Sequence, residues 1–144
     1  MKTWLHKAYL GVAWLIVAGI VIQFLLVGQA LFVGGGFGLH IEFGFYYMGL
    51  TALALPILAG AAGLPRRAIG QSALLFVLML VQMFLPGFRT IVPVVAALHP
   101  VNALLTLWLS LKLARQARAY ADESPAPVSE GKTLTQSREG AKAL

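Results

Sequence analysis

Residues 8–33 read AYLGVAWLIVAGIVIQFLLVGQALFV, a run of 26 residues without a formal charge. A helix of about 20 apolar residues, rising 1.5 Å per residue, crosses the roughly 30 Å of hydrocarbon in a bilayer. Helix is the required form, because backbone facing lipid has no water to bond and must satisfy its own N–H and C=O groups. Lys2 and Lys7 resemble the basic start of a secretory signal. The apolar run is too long for such a signal's core, and no small-x-small cleavage site interrupts it. The segment is therefore expected to be an uncleaved first membrane span.

Working outward, three more apolar segments follow. The first run ends at Gly34-Gly35-Gly36 and the second extends from about Phe43 to Ala62, closed by Gly63-Leu64-Pro65. The third runs from Ala68 to about Leu85 and breaks at Pro86-Gly87; the fourth lies between Arg89 and Lys112. From Ala8 to Leu111 the only formal charges are Glu42, Arg66, Arg67 and Arg89. Across all 144 residues 59% are hydrophobic and 11% charged, and mean hydropathy is +0.81. A water-facing domain carries about a quarter charged residues, so this chain cannot cover a soluble surface. The fold expected is all-α, an integral membrane four-helix bundle running up-down-up-down, with spans at 8–33, 43–62, 68–85 and 91–111. These lie in one domain of residues 1–118. Residues 119–144 have low hydrophobicity, two prolines and mixed charge, which predicts a disordered tail with nothing to bury.

Charge fixes the expected orientation. Lys2 and Lys7, then Arg66 and Arg67, then Lys112, Arg115 and Arg118 fall on one side if the spans alternate. The other side receives Arg89 with His40 and Glu42, so both termini are expected in the cytoplasm. The net charge of +6 is carried beside apolar runs. It therefore points to topology and contact with the lipid bilayer, and not to nucleic acid. Without cysteine the chain has no disulfide, thiolate metal site or iron–sulfur cluster. No hydrolase elbow, Walker loop, zinc-protease helix or carboxylate pair is present, so hydrolysis and phosphoryl transfer are not expected.

Polar groups inside the spans are costly and invite a functional reading. His40, Gly44, Tyr47 and Thr51 share a face of the second helix by the i, i+4, i+7, i+11 rule. His99, Asn102, Ala103, Thr106 and Ser110 form a similar stripe on the fourth. Facing imidazoles, with a glycine one turn away to admit a flat macrocycle, are what bis-histidine ligation of a b-type haem requires. The candidate site is therefore His40 and His99 as haem-iron ligands, Gly44 beside the macrocycle and Arg89 as partner to a propionate. Such a site implies electron transfer on the external side. Height opposes a simple pair: His40 lies 23 residues before Gly63, about 34 Å, and His99 lies 13 before Lys112, about 20 Å, or about 28 Å if measured to Arg118. The two are expected to differ in height by roughly 6–14 Å. The competing expectation is a non-catalytic accessory or interaction subunit, packed against a membrane complex or itself, with structural histidines. A small-solute or proton carrier is a third, for which more polar lining is expected. Gln23, Gln71 and Gln82 are expected to hydrogen-bond between helices, His6 to be interfacial, and Glu42 to complement the dipole at a helix start.

The segments IQFLLVGQALF (22–32), LHIEFGFYYMGL (39–50) and ALHPVNALLTLWL (97–109) resemble a bacterial family of small four-helix membrane proteins with no established function. The resemblance rests most on His40 with Gly44 and on His99-Pro100-Val101-Asn102-Ala103. It implies four helices and marks both histidines as signature positions. The pattern is also loosely similar to transmembrane b-type cytochromes.

Overall fold

The structure, a computed structural model, describes residues 2–122. Helix α1 (Lys2–Phe32) is followed by α2 (Gly38–Phe43), one π turn (Gly44–Met48) and α3 (Gly49–Ala61) in a single continuous rod. Helix α4 (Arg66–Phe84) runs into a 3₁₀ turn (Leu85–Thr90), and a short α5 (Pro93–Ala96) leads to α6 (His99–Asp122). Four stretches are long and apolar enough to cross a membrane: Thr3–Phe32, Gly38–Ala61, Arg66–Thr90 and Pro93–Asp122. Helix α1 packs on α3 and α6, and α4 packs on the same two, so the rods close a four-sided bundle with consecutive spans adjacent. This is the all-α, up-down-up-down architecture expected. The last turn of α6 takes in residues 119–122, which the sequence assigns to the tail; residues 123–144 lie outside those described.

Small residues let the rods approach. Ala13, Ala52, Ala59, Ala114 and Ala117 are at most 1% exposed and lie between Tyr9, Ile16, Leu55, Leu75 and Leu113. The outside is equally apolar: Phe32 is 88% exposed, Leu25 69% and Trp108 62%. Such a surface is stable against hydrocarbon and not against water. Thr51, Thr106 and Ser110 each donate to a carbonyl three or four residues back in their own helix. The tyrosine hydroxyls of Tyr47 and Tyr9 reach across to a neighbouring helix instead. Ser72 Oγ donates to the Ala68 carbonyl at 2.8 Å, leaving its oxygen to accept Tyr9 O–H at 3.0 Å, and this joins α1 to α4.

Three local features position the polar end of the bundle. Gly34, Gly35 and Gly36 take φ of 97°, 94° and 73°, a left-handed run that side chains resist, and turn the chain from α1 into α2. The π turn then resets the register of the second span. Met48, Ala52, Leu55 and Ala59 are buried, so the inward face runs 40, 44, 48, 52 and not 40, 44, 47, 51. In an ideal α-helix three successive four-residue steps drift about 120° around the axis. The wider π turn takes up most of that drift and keeps His40 above Met48. Finally, α6 continues ten residues past Lys112, with Leu113, Ala114 and Ala117 still buried.

Candidate functional site

Those features bring His40 and His99 together. Their ring centroids lie 6.2 Å apart with planes crossed at 73°. The expected height difference is absent, because Lys112 does not mark the end of the fourth span. His99 stands 23 residues before Asp122, as His40 stands 23 before Gly63, about 34 Å in each case. Lys112 lies over the ring of Trp108, with Nζ 5.4 Å from its centroid, and the apolar face of α6 continues past it.

A hydrogen-bonded network holds His99. Its Nδ1 lies 3.0 Å from the backbone carbonyl of Gln82, which can only accept, so Nδ1 carries the proton. Nε2 is then an acceptor and receives the Gln82 side-chain amide at 3.1 Å. Gln82 Oε1 in turn accepts from Asn102 Nδ2 at 2.7 Å, and the same amide donates to the Leu78 carbonyl at 2.9 Å. The Gln82 carbonyl is free for this because its α-helical donor would be the N–H of residue 86, which is proline. Gln82 thus crosses between helices as expected, and it does so with both main chain and side chain.

His40 is less completely held. Its ring lies edge-on to Phe37, with centroids 6.4 Å apart, and its buried Nδ1 has no hydrogen-bond partner. One turn along, the space at Gly44 is occupied: a Cβ there would lie 2.7 Å from Gln23 Nε2. The glycine admits the α1 glutamine, whose own buried Oε1 is unpartnered. Arg89 is exposed on the 3₁₀ turn (Leu85–Thr90), next in sequence after the helix that carries Gln82. Glu42 is also exposed and sits fifth in α2, beyond the first turn where a helix dipole acts. Tyr47 stacks on Phe43 at 4.5 Å and donates to the Leu15 carbonyl at 3.3 Å. His6, at the opposite end, donates from Nε2 to the Ala62 carbonyl at 3.3 Å and ties α1 to the end of α3.

The cluster can supply two imidazoles, three primary amides (Gln23, Gln82 and Asn102) and two unpartnered polar atoms, His40 Nδ1 and Gln23 Oε1. Among the described residues no three His, Cys, Asp or Glu side chains gather as a metal-binding group. A recess of about 660 Å³ beside the C-terminal half of α1 is lined by Phe24, Leu25, Gly28, Gln29 and Val33, and neither histidine borders it. The sequence names His40, His99 and Asn102, and of the three glutamines expected to bond between helices Gln82 does so, while the buried Oε1 of Gln23 and of Gln71 has no partner; the seating of Gln23 against Gly44 and the role of Pro86 are not read from it. The signal for the second was available, since Pro86 stands four residues after Gln82.

No curated protein and no solved structure matches the chain. Residues 23–91, which contain Gln23, His40, Gly44, Gln82 and Arg89 but not His99 or Asn102, match the model of DUF6220, a family of unknown function.

Proposed function

We propose that this is a multi-pass protein of the bacterial inner membrane, with both termini cytoplasmic, that binds one b-type haem between His40 and His99 for electron transfer. The observation that carries the reading is the 6.2 Å separation of the two rings across the bundle. Imidazole nitrogens bind a metal at about 2.0–2.1 Å, so a pair on one metal has ring centres about 6 Å apart. With only two such side chains at the site, a bare ion lacks ligands, whereas a haem carries nitrogen ligands of its own and would be held by His40 and His99. His99 already has the required tautomer, Nδ1–H on a carbonyl and a lone pair on Nε2. The Gln82 amide must rotate off that lone pair, and Gln23 must leave Gly44, before a ring can enter. Arg89 is the cation available to a propionate. When bound, the haem supplies a one-electron couple. The orientation is supported by Lys7, Arg66, Arg67, Arg115 and Arg118, which gather toward the end of the bundle holding the α1 start and the α3–α4 connection.

One observation favours a second reading, an accessory subunit that packs against itself or a membrane complex. Both ring nitrogens of His99 have protein partners, so this histidine is satisfied without a cofactor. The absorption spectrum of protein expressed with ample haem separates the two. The haem reading expects sharp reduced bands of low-spin iron, lost in His40→Ala and in His99→Ala and kept in His6→Ala. Colourless wild-type protein, with all three variants inserting normally, would sink that reading and leave the accessory role.

A further inference from the structure

The opposite end of the bundle holds a cavity of about 220 Å³ between the first turns of α4 and the last turns of α6. Arg67, Ala68, Gln71, Gln116, Ala119 and Tyr120 line it. At about 30 Å³ per water, it has room for about seven waters, or for a phosphate with a small substituent. Two of the lining groups ask for opposite partners. The Arg67 guanidinium is a planar fork of donors suited to a phosphate and reluctant to pair with anything neutral. Gln71 presents a buried Oε1 with no hydrogen-bond partner, an acceptor that needs an N–H or O–H. Ala68 and Ala119 supply small walls that leave the space open.

We propose that this cavity binds the headgroup of an anionic phospholipid, with the phosphate on Arg67 and a headgroup hydroxyl donating to Gln71 Oε1. The position favours a lipid as the source of that chemistry. Arg67 is the second residue of α4 and Tyr120 the third from the end of α6, so the cavity lies where the spans end. Arg66 and Arg115, chain neighbours of the lining residues Arg67 and Gln116, add positive charge at this end. From this end the exposed Leu74, Val77 and Trp108 continue along the two helices and offer acyl chains a surface.

Native mass spectrometry of the full chain in detergent, titrated with defined lipids, tests this independently of any haem. Phosphatidylglycerol should be retained as one molecule per chain, about tenfold more tightly than phosphatidylcholine, whose headgroup has no hydroxyl for Gln71 and carries a trimethylammonium that Arg67 repels. Arg67→Gln should weaken the retention of phosphatidylglycerol about tenfold, as loss of one charge-assisted pair predicts, while Arg66→Gln, outside the cavity, should leave it unchanged. Gln71→Leu should lose most of the preference for phosphatidylglycerol over phosphatidylcholine. This variant carries the test if Arg67→Gln fails to elute as a monodisperse species. Equal retention by the Arg66 and Arg67 variants would overturn the site. Displacement of the lipid by an equal concentration of water-soluble glycerol phosphate would overturn the lipid as its source.

Discussion

Asn102 should hold the fourth span to the third largely through one amide. It is 7% exposed, and its Nδ2 donates to the Leu78 carbonyl at 2.9 Å and to Gln82 Oε1 at 2.7 Å. Interhelical side-chain hydrogen bonds in membranes average about 0.6 kcal/mol and reach about 1.7. Asn102→Leu removes two of them at similar volume and strands the Gln82 oxygen, so a loss of about 1–3 kcal/mol is expected. Gln82→Leu removes the shared bond together with the contact to His99 Nε2 and should cost a similar amount. Because one bond is counted in both single variants, the double variant should lose less than their sum, by about 0.6–1.7 kcal/mol. Unfolding in mixed micelles with rising dodecyl sulfate, followed by far-ultraviolet circular dichroism, gives all three values. Losses that add to within about 0.3 kcal/mol would refute the shared bond and with it the network described around His99.

Gly44→Leu should destabilise the bundle by about 1–3 kcal/mol through overpacking, and adding Gln23→Ala should recover most of that loss by vacating the same space. If the second change does not help, Gln23 is not what fills the space at Gly44. Reporters fused after Lys7, Arg67 and Arg118 should read cytoplasmic and those at Gly35 and Gly87 external. An external signal after Arg67 reverses the proposed orientation.

The four spans were legible because hydropathy is a local property, readable wherever about 20 residues lack charge. Their inward faces were less so. The π turn at Gly44–Met48 is imposed by packing of the second span against α1 and α4, and no residue in GFYYM announces it. Reading that span as one uninterrupted α-helix therefore put Tyr47 and Thr51 on the inner face in place of Met48 and Ala52. The depth of His99 is hidden for a related reason. Lys112 reads as a span boundary, although its ammonium lies over Trp108 while its neighbours Leu113 and Ala114 stay buried. The pairing of Gln23 with Gly44 depends on the close approach of α1 to the second span, which sequence spacing within either helix does not encode.

The proline at position 86 has a consequence beyond ending a helix. A main-chain oxygen that lies between helices without its helical donor is a fixed electrostatic demand. Here the demand of the Gln82 oxygen is met by an imidazole seventeen residues farther along the chain. Since the oxygen can only accept, Pro86 in effect selects the protonation isomer of His99, holding the hydrogen on Nδ1 and leaving Nε2 as the basic nitrogen that accepts the Gln82 side-chain amide. A backbone vacancy in one helix thereby acts as a chemical setting for a side chain on another.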